Sequence, residues 1–110
     1  MDDNRTEDDW IAYFQEIHGT EIRIYIEKGR RIREFHDAYH RERWKYGNRW
    51  DDACRRVVRL SKGICSYYET VYRVLGRMDE ERLTKIITQL PADVYSLNFI
   101  CRSLEINEEY

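Results

Sequence analysis

Apolar residues recur at helical spacing over most of this chain. Trp10, Ile11, Phe14 and Ile17 form one stripe, and Ile22, Ile26, Gly29, Ile32, Phe35 and Tyr39 continue an apolar face to about residue 43. Between the two sets, Gly19 interrupts the pattern and residues 20–27 alternate apolar with polar, which also fits a strand. A lone strand would have no partner elsewhere in the sequence, so helix is the expectation there. Thr6 is placed to cap the first helix, with Asp8 and Asp9 in its first turn, where negative charge suits the helix dipole.

Gly47-Asn48 marks a turn, after which Trp50 to Leu60 reads as a helix with Ala53, Cys54, Val57, Val58 and Leu60 on its apolar side. The pattern breaks at Gly63. Ser66-Tyr67-Tyr68-Glu69 has the form of a capping box, so a helix is expected from Tyr67 to about Arg77, burying Val71, Val74, Leu75 and Met78. Asp79 to Leu90 and Ala92 to Leu104, separated by the single proline Pro91, complete the set. The expected fold is an all-α single domain over residues 1–110: a small helical bundle with an acidic leader at 1–9 and a candidate helix-turn-helix at 50–77.

Composition narrows the function classes. With 42% hydrophobic and 36% charged residues, the chain is too apolar for disorder and too charged for a membrane span. An acidic N-terminus where a secretory signal would be basic makes the cytoplasm the expected compartment. Cys54, Cys65 and Cys101 are odd in number and contain no C-x-x-C pair, so they read as small core residues.

Net charge is only −2, yet its placement is uneven. Residues 1–28 hold eight acids and three bases, residues 29–62 eleven bases and five acids, and residues 63–110 eight acids and five bases. A basic middle between acidic flanks points to a polyanionic partner met through one face.

That basic stretch coincides with the helix, turn and capped helix of residues 50–77. In a helix-turn-helix the second helix reads DNA, and its outward positions would be Tyr67, Tyr68, Tyr72 and Arg73, with Lys62 and Ser66 at its phosphate-favouring N-terminus. Arg55, Arg56 and Arg59 on the first helix would cross the phosphate backbone.

His36-x-x-x-His40 places two imidazoles on one face, but their spacing to Cys54 and Cys65 matches no compact zinc module, so no metal site is expected. No phosphate loop or nucleophile elbow is present, adjacent carboxylates such as Asp51-Asp52 point apart on a helix, and no enzyme activity or cofactor is expected.

Glu27-Lys28-Gly29-Arg30-Arg31-Ile32-Arg33-Glu34, the tryptophan-led helix, Leu60-Ser61, Tyr72-Arg73-Val74 and Leu90-Pro91-Ala92-Asp93-Val94-Tyr95-Ser96-Leu97 resemble helical DNA-binding domains of phage and plasmid proteins. Partition-type ParB and KorB repressors and phage proteins of unknown function are of this type. The resemblance spans about residues 26–104 and implies a dimeric protein that binds duplex DNA in transcription, replication or partition. Trp10, Tyr13 and Phe14 on the acidic first helix are the candidate dimer interface. The competing expectation is a small phage-type module that binds and inhibits a host protein, since Tyr and Arg are also favoured anchors of protein interfaces.

Overall fold

A computed structural model describes residues 4–108, with side chains through residue 106, so the first three residues of the acidic leader lie outside the described residues. The apolar periodicity is realised as six helices, and no strand occurs among the described residues. Helix α1 (Glu7–Arg41) is continuous over 35 residues, which at 1.5 Å per residue is about 52 Å. Residues 20–27 are helical throughout, as expected from the lack of a strand partner.

Thr6 caps α1. Its hydroxyl accepts the Asp9 N–H at 3.2 Å, and the Asp9 carboxylate accepts the Thr6 N–H at 2.9 Å, a reciprocal box. Two short turns follow, α2 (Arg43–Tyr46) and α3 (Trp50–Ala53), separated by Gly47 at φ +97°. Helix α3 runs on into a π turn (Cys54–Val58) closed by the Arg59 N–H bonding the Cys54 carbonyl at 2.8 Å. Helices α4 (Lys62–Leu75), α5 (Glu80–Ile87) and α6 (Val94–Glu108) complete the chain.

Two boundaries differ from expectation, and each has a local cause. The helix beginning at Trp50 ends at Val58, because the π turn inserts one residue per turn and Arg59 then takes a left-handed conformation, φ 67°. That extra residue also rotates Val57 off the apolar side and leaves it exposed. The following helix starts at Lys62, five residues before Tyr67. Ser61 is its cap, accepting the Ile64 N–H at 3.2 Å, while Ser66 lies inside the helix and its carbonyl accepts the Thr70 hydroxyl. The Ser66–Glu69 box is therefore not used.

Helix α4 is the centre of the molecule. It packs against α1 on one side and α6 on the other, and six of its residues are buried: Cys65, Tyr68, Thr70, Val71, Val74 and Leu75. Ile22 and Ile32 of α1, Leu83 and Ile87 of α5, and Leu97 and Cys101 of α6 close the core around it. Burying each large aliphatic side chain contributes about 1.5–3 kcal/mol. All three cysteines are fully buried, and burial pushes the Cys54 and Cys101 thiols up to about 12.

The N-terminal part of α1 runs past this core. Gln15, bonded to the Thr88 carbonyl, Gly19 beside Ile87, and Arg23, paired with Glu80 at 2.6 Å, tie that stretch to α5 and the loop after it. The Cα radius of gyration is 17.0 Å, against about 13 Å for a compact chain of this length.

Candidate nucleic-acid interface

Ion pairing within the fold divides the arginines into two groups. Arg30 and Arg31 on α1 are bound to Glu27 and Glu34 at 2.6–3.2 Å, and Arg33 to Asp37 at 3.0 Å. Beside Arg30, the Glu27 carboxyl is held below its usual range. Much of the basic excess of residues 29–62 is thus balanced one helical turn away.

Arg55, Arg59 and Lys62 are exposed, and among the described residues no carboxylate pairs with them. Arg56 donates to the Tyr46 carbonyl, which fixes the α2–α3 turn beside the π turn. An open basin of about 690 Å³ lies there, between residues 46–49 and the outer face of Asp52, Arg55 and Arg56. Arg41, Arg43 and Lys45 extend the same end of the molecule, and between the last two Trp44 stands 83% exposed. Trp44 had no part in the expected site. Its signal was available, since a tryptophan flanked by Arg43 and Lys45 outside any apolar stripe has no core to enter.

The expected reading positions on α4 are distributed differently. Tyr68 is not outward: it lies in the core, its ring 5.6 Å from that of Tyr25 and capped by the Lys28 ammonium at 4.8 Å. The reason is the crossing with α1, where a Cβ on Gly29 would come within 2.1 Å of the Tyr68 carbonyl oxygen. Tyr67 is half-buried, edge-on to Tyr95.

Tyr72 and Arg73 line a groove of about 410 Å³ with Arg33, Glu69 and Arg77. Arg73 holds both oxygens of Glu105 on α6, at 2.8 and 2.9 Å, and this pairing keeps the Glu105 carboxyl below its usual range. Lys62 and Ser66 alone of the expected α4 positions are exposed without a carboxylate partner, both near the helix N-terminus.

The histidines are organised around Trp50. The His36 ring stacks on the indole with centroids 4.0 Å apart and planes 5° from parallel, and its Nδ1 faces Glu69 at 3.1 Å. His40 stacks on the other side of His36, at 4.7 Å. Cys54 and Cys65 lie in the core, and no group of three or more metal-ligating side chains gathers among the described residues.

Trp10, Tyr13 and Phe14 are all exposed on the α1 arm and contact one another edge-on or stacked, at 5.5–6.3 Å. No helix is long and apolar enough to cross a membrane among the described residues. Comparison with protein-family models, curated proteins and solved structures finds no match to this chain.

Proposed function

We propose that this chain binds duplex DNA through its basic end, by phosphate contacts, and catalyses nothing. The observation that carries the reading is the set Arg55, Arg59 and Lys62, exposed and without carboxylate partners around the three-residue turn that leads into α4. Guanidinium and ammonium groups left free by their own fold are the ones available to displace counterions from DNA. Arg41, Arg43 and Lys45 widen the footprint, and Trp44 offers an apolar face beside the sugars or against an unstacked base. The N-terminus of α4, with Lys62 and Ser66, favours a phosphate for the same dipolar reason.

Base reading by Tyr68 is withdrawn from this proposal, because its ring is committed to the core. The phage and plasmid DNA-binding proteins that the sequence resembles supply the biological frame, a transcription, replication or partition factor of a mobile element. Recognition here is mainly of the backbone, and so tolerant of sequence.

A second reading, docking on a host protein, is favoured by α6. Tyr95, 62% exposed although edge-on to Tyr67, and Phe99, 73% exposed, share a face one turn apart. Salt separates the two readings. Fluorescence polarisation of a mixed-sequence duplex should show affinity falling steeply with rising salt. Arg55→Ala with Arg59→Ala should weaken all sequences alike and reduce the log–log salt slope by about 2. Absence of binding at low salt would sink the DNA reading and leave the protein-docking one.

A further inference from the structure

The outer face of α1 carries a repeat that is largely exposed, although Lys28 also reaches the Tyr68 ring and Phe35 packs on Tyr46 and Trp50. Trp10, Phe14 and Ile17 on the arm, Glu21 and Ile24 at the centre, and Lys28, Arg31 and Phe35 in the second half recur alternately every four and three residues. This is the spacing of the a and d positions of a coiled coil, in which the seam keeps facing one partner helix. The stripe turns away from Ile22 and Gly29, which face the core and α4, and along its second half it borders Ile32. Phe14 is 48% and Ile24 55% exposed, both too apolar to be at rest in water. Along the second half, a groove of about 320 Å³ opens between α1 and the π turn, lined by Ile32, Phe35, Val57 and Val58 together with Lys28 and Arg31.

We infer that this stripe docks against a second copy of the same chain with the two α1 helices antiparallel. Charge decides both the occupant and the direction. In a parallel pair each residue meets itself, so Glu21, Lys28 and Arg31 would form three like-charged layers. In the antiparallel pair with Glu21 opposite the partner's Ile24, Ile17 lies against the partner's Lys28, Phe14 against the partner's Arg31, and Trp10 against the partner's Phe35. Each layer occurs twice by symmetry.

Lysine and arginine stems cover apolar surface while their charged heads reach outward, and a guanidinium over a phenyl face is itself attractive. The acidic, aromatic arm of one copy thereby enters the groove of the other, whose lining is apolar apart from the basic Lys28 and Arg31. The pairing is isologous and closes at two copies. It stands independently of whether the basic end binds DNA.

Sedimentation equilibrium from low micromolar to about 100 μM, a span in which a modest interface is populated, should return twice the 13.6 kDa chain mass at the upper end. A 13.6 kDa species throughout overturns the inference. Direction is read by mixing Ile17→Cys and Lys28→Cys chains and oxidising mildly, with the unmodified chain as control, since its native thiols are fully buried. The expected product is the mixed 17–28 disulfide, identified by mass. Disulfides joining only like variants overturn the antiparallel register.

Ile24→Glu places charge beside the two-fold axis and should return the chain to monomer with its circular dichroism unchanged. Should that variant lose helicity, Lys28→Glu, at an exposed site, is the replacement and carries the same expected loss of dimer. A Lys28→Glu chain that dimerises as well as the parent counts against the proposal.

Discussion

Arg59 occupies a backbone conformation that glycine adopts at lower cost. Its φ of 67° is the only positive value at a non-glycine position among the described residues. A side chain there crowds the following carbonyl by about 1 kcal/mol. The position is the left-handed C-cap of the π turn, where glycine is ordinarily found. A charged residue kept at such a site is consistent with the guanidinium being used. Arg59→Gly should therefore raise stability by about 1 kcal/mol and Tm by roughly 4 °C, while weakening DNA binding. A thermal melt and a polarisation titration on the same variant read both effects. If stability falls instead, Arg59 is holding the turn together through contacts of its own, and its availability to phosphate is in doubt.

At the scale of elements, two glycines of α1 illustrate what local pattern can and cannot disclose. Gly19 interrupts the apolar pattern and Gly29 falls within it, and α1 passes through both, with Ile87 of α5 beside the first and Tyr68 of α4 against the second. At Gly29 a Cβ would lie 2.1 Å from the Tyr68 carbonyl, and neither backbone can yield without separating α1 from α4. At Gly19 the nearest atom would be an Ile87 methyl at 3.8 Å, an ordinary contact. Gly29→Ala should thus cost about 3 kcal/mol or more, whereas Gly19→Ala should stabilise α1 by roughly 0.5–1 kcal/mol through helix propensity. Urea unfolding of the two variants tests the contrast, and equal effects would mean that the α1–α4 crossing is looser than described.

The same distinction governs what was legible beforehand. Thr6 and Asp9 could be recognised as a cap because every participant lies within four residues. Ser66 and Glu69 matched the same pattern, but Ser61 takes the cap and Glu69 turns to His36, thirty-three residues earlier. Tyr68 was misplaced for a like reason: its neighbours Tyr25, Lys28 and Gly29 are about forty residues distant. The all-α architecture, the buried cysteines and the exposed Arg55 follow from short-range periodicity, whereas Arg59, expected on the helix, lies beyond its end because of the π turn. Which arginines are balanced by acids on their own helix was also readable at three- and four-residue spacing, as for Arg30 with Glu27 and Glu34.

Over the whole molecule, charge is separated along α1. Glu7, Asp8 and Asp9 open the helix and Arg41 ends it, and Arg55 and Arg56 of the π turn face residues 46–49 a few positions beyond that end. Within one chain Asp9 and Arg41 are about 48 Å apart along the axis, at 1.5 Å per residue. The Debye length is about 8 Å at physiological salt, so in a monomer the acidic arm should not influence DNA held at the basic end. An antiparallel dimer changes this, because the partner's Asp8 and Asp9 then lie opposite residues 36 and 37, about 6–8 Å from Arg41 along the axis. The arm would there compete electrostatically with DNA phosphates. Asp8→Asn with Asp9→Asn should leave DNA affinity within about twofold at nanomolar protein, where the chain is monomeric, and strengthen it several-fold at dimer-forming concentrations. Polarisation titrations with labelled duplex at two fixed protein regimes, both at 150 mM salt, make the comparison. An equal effect in both regimes would mean that the arm reaches the basic end without a second chain, and that dimerisation and DNA binding are not coupled through it.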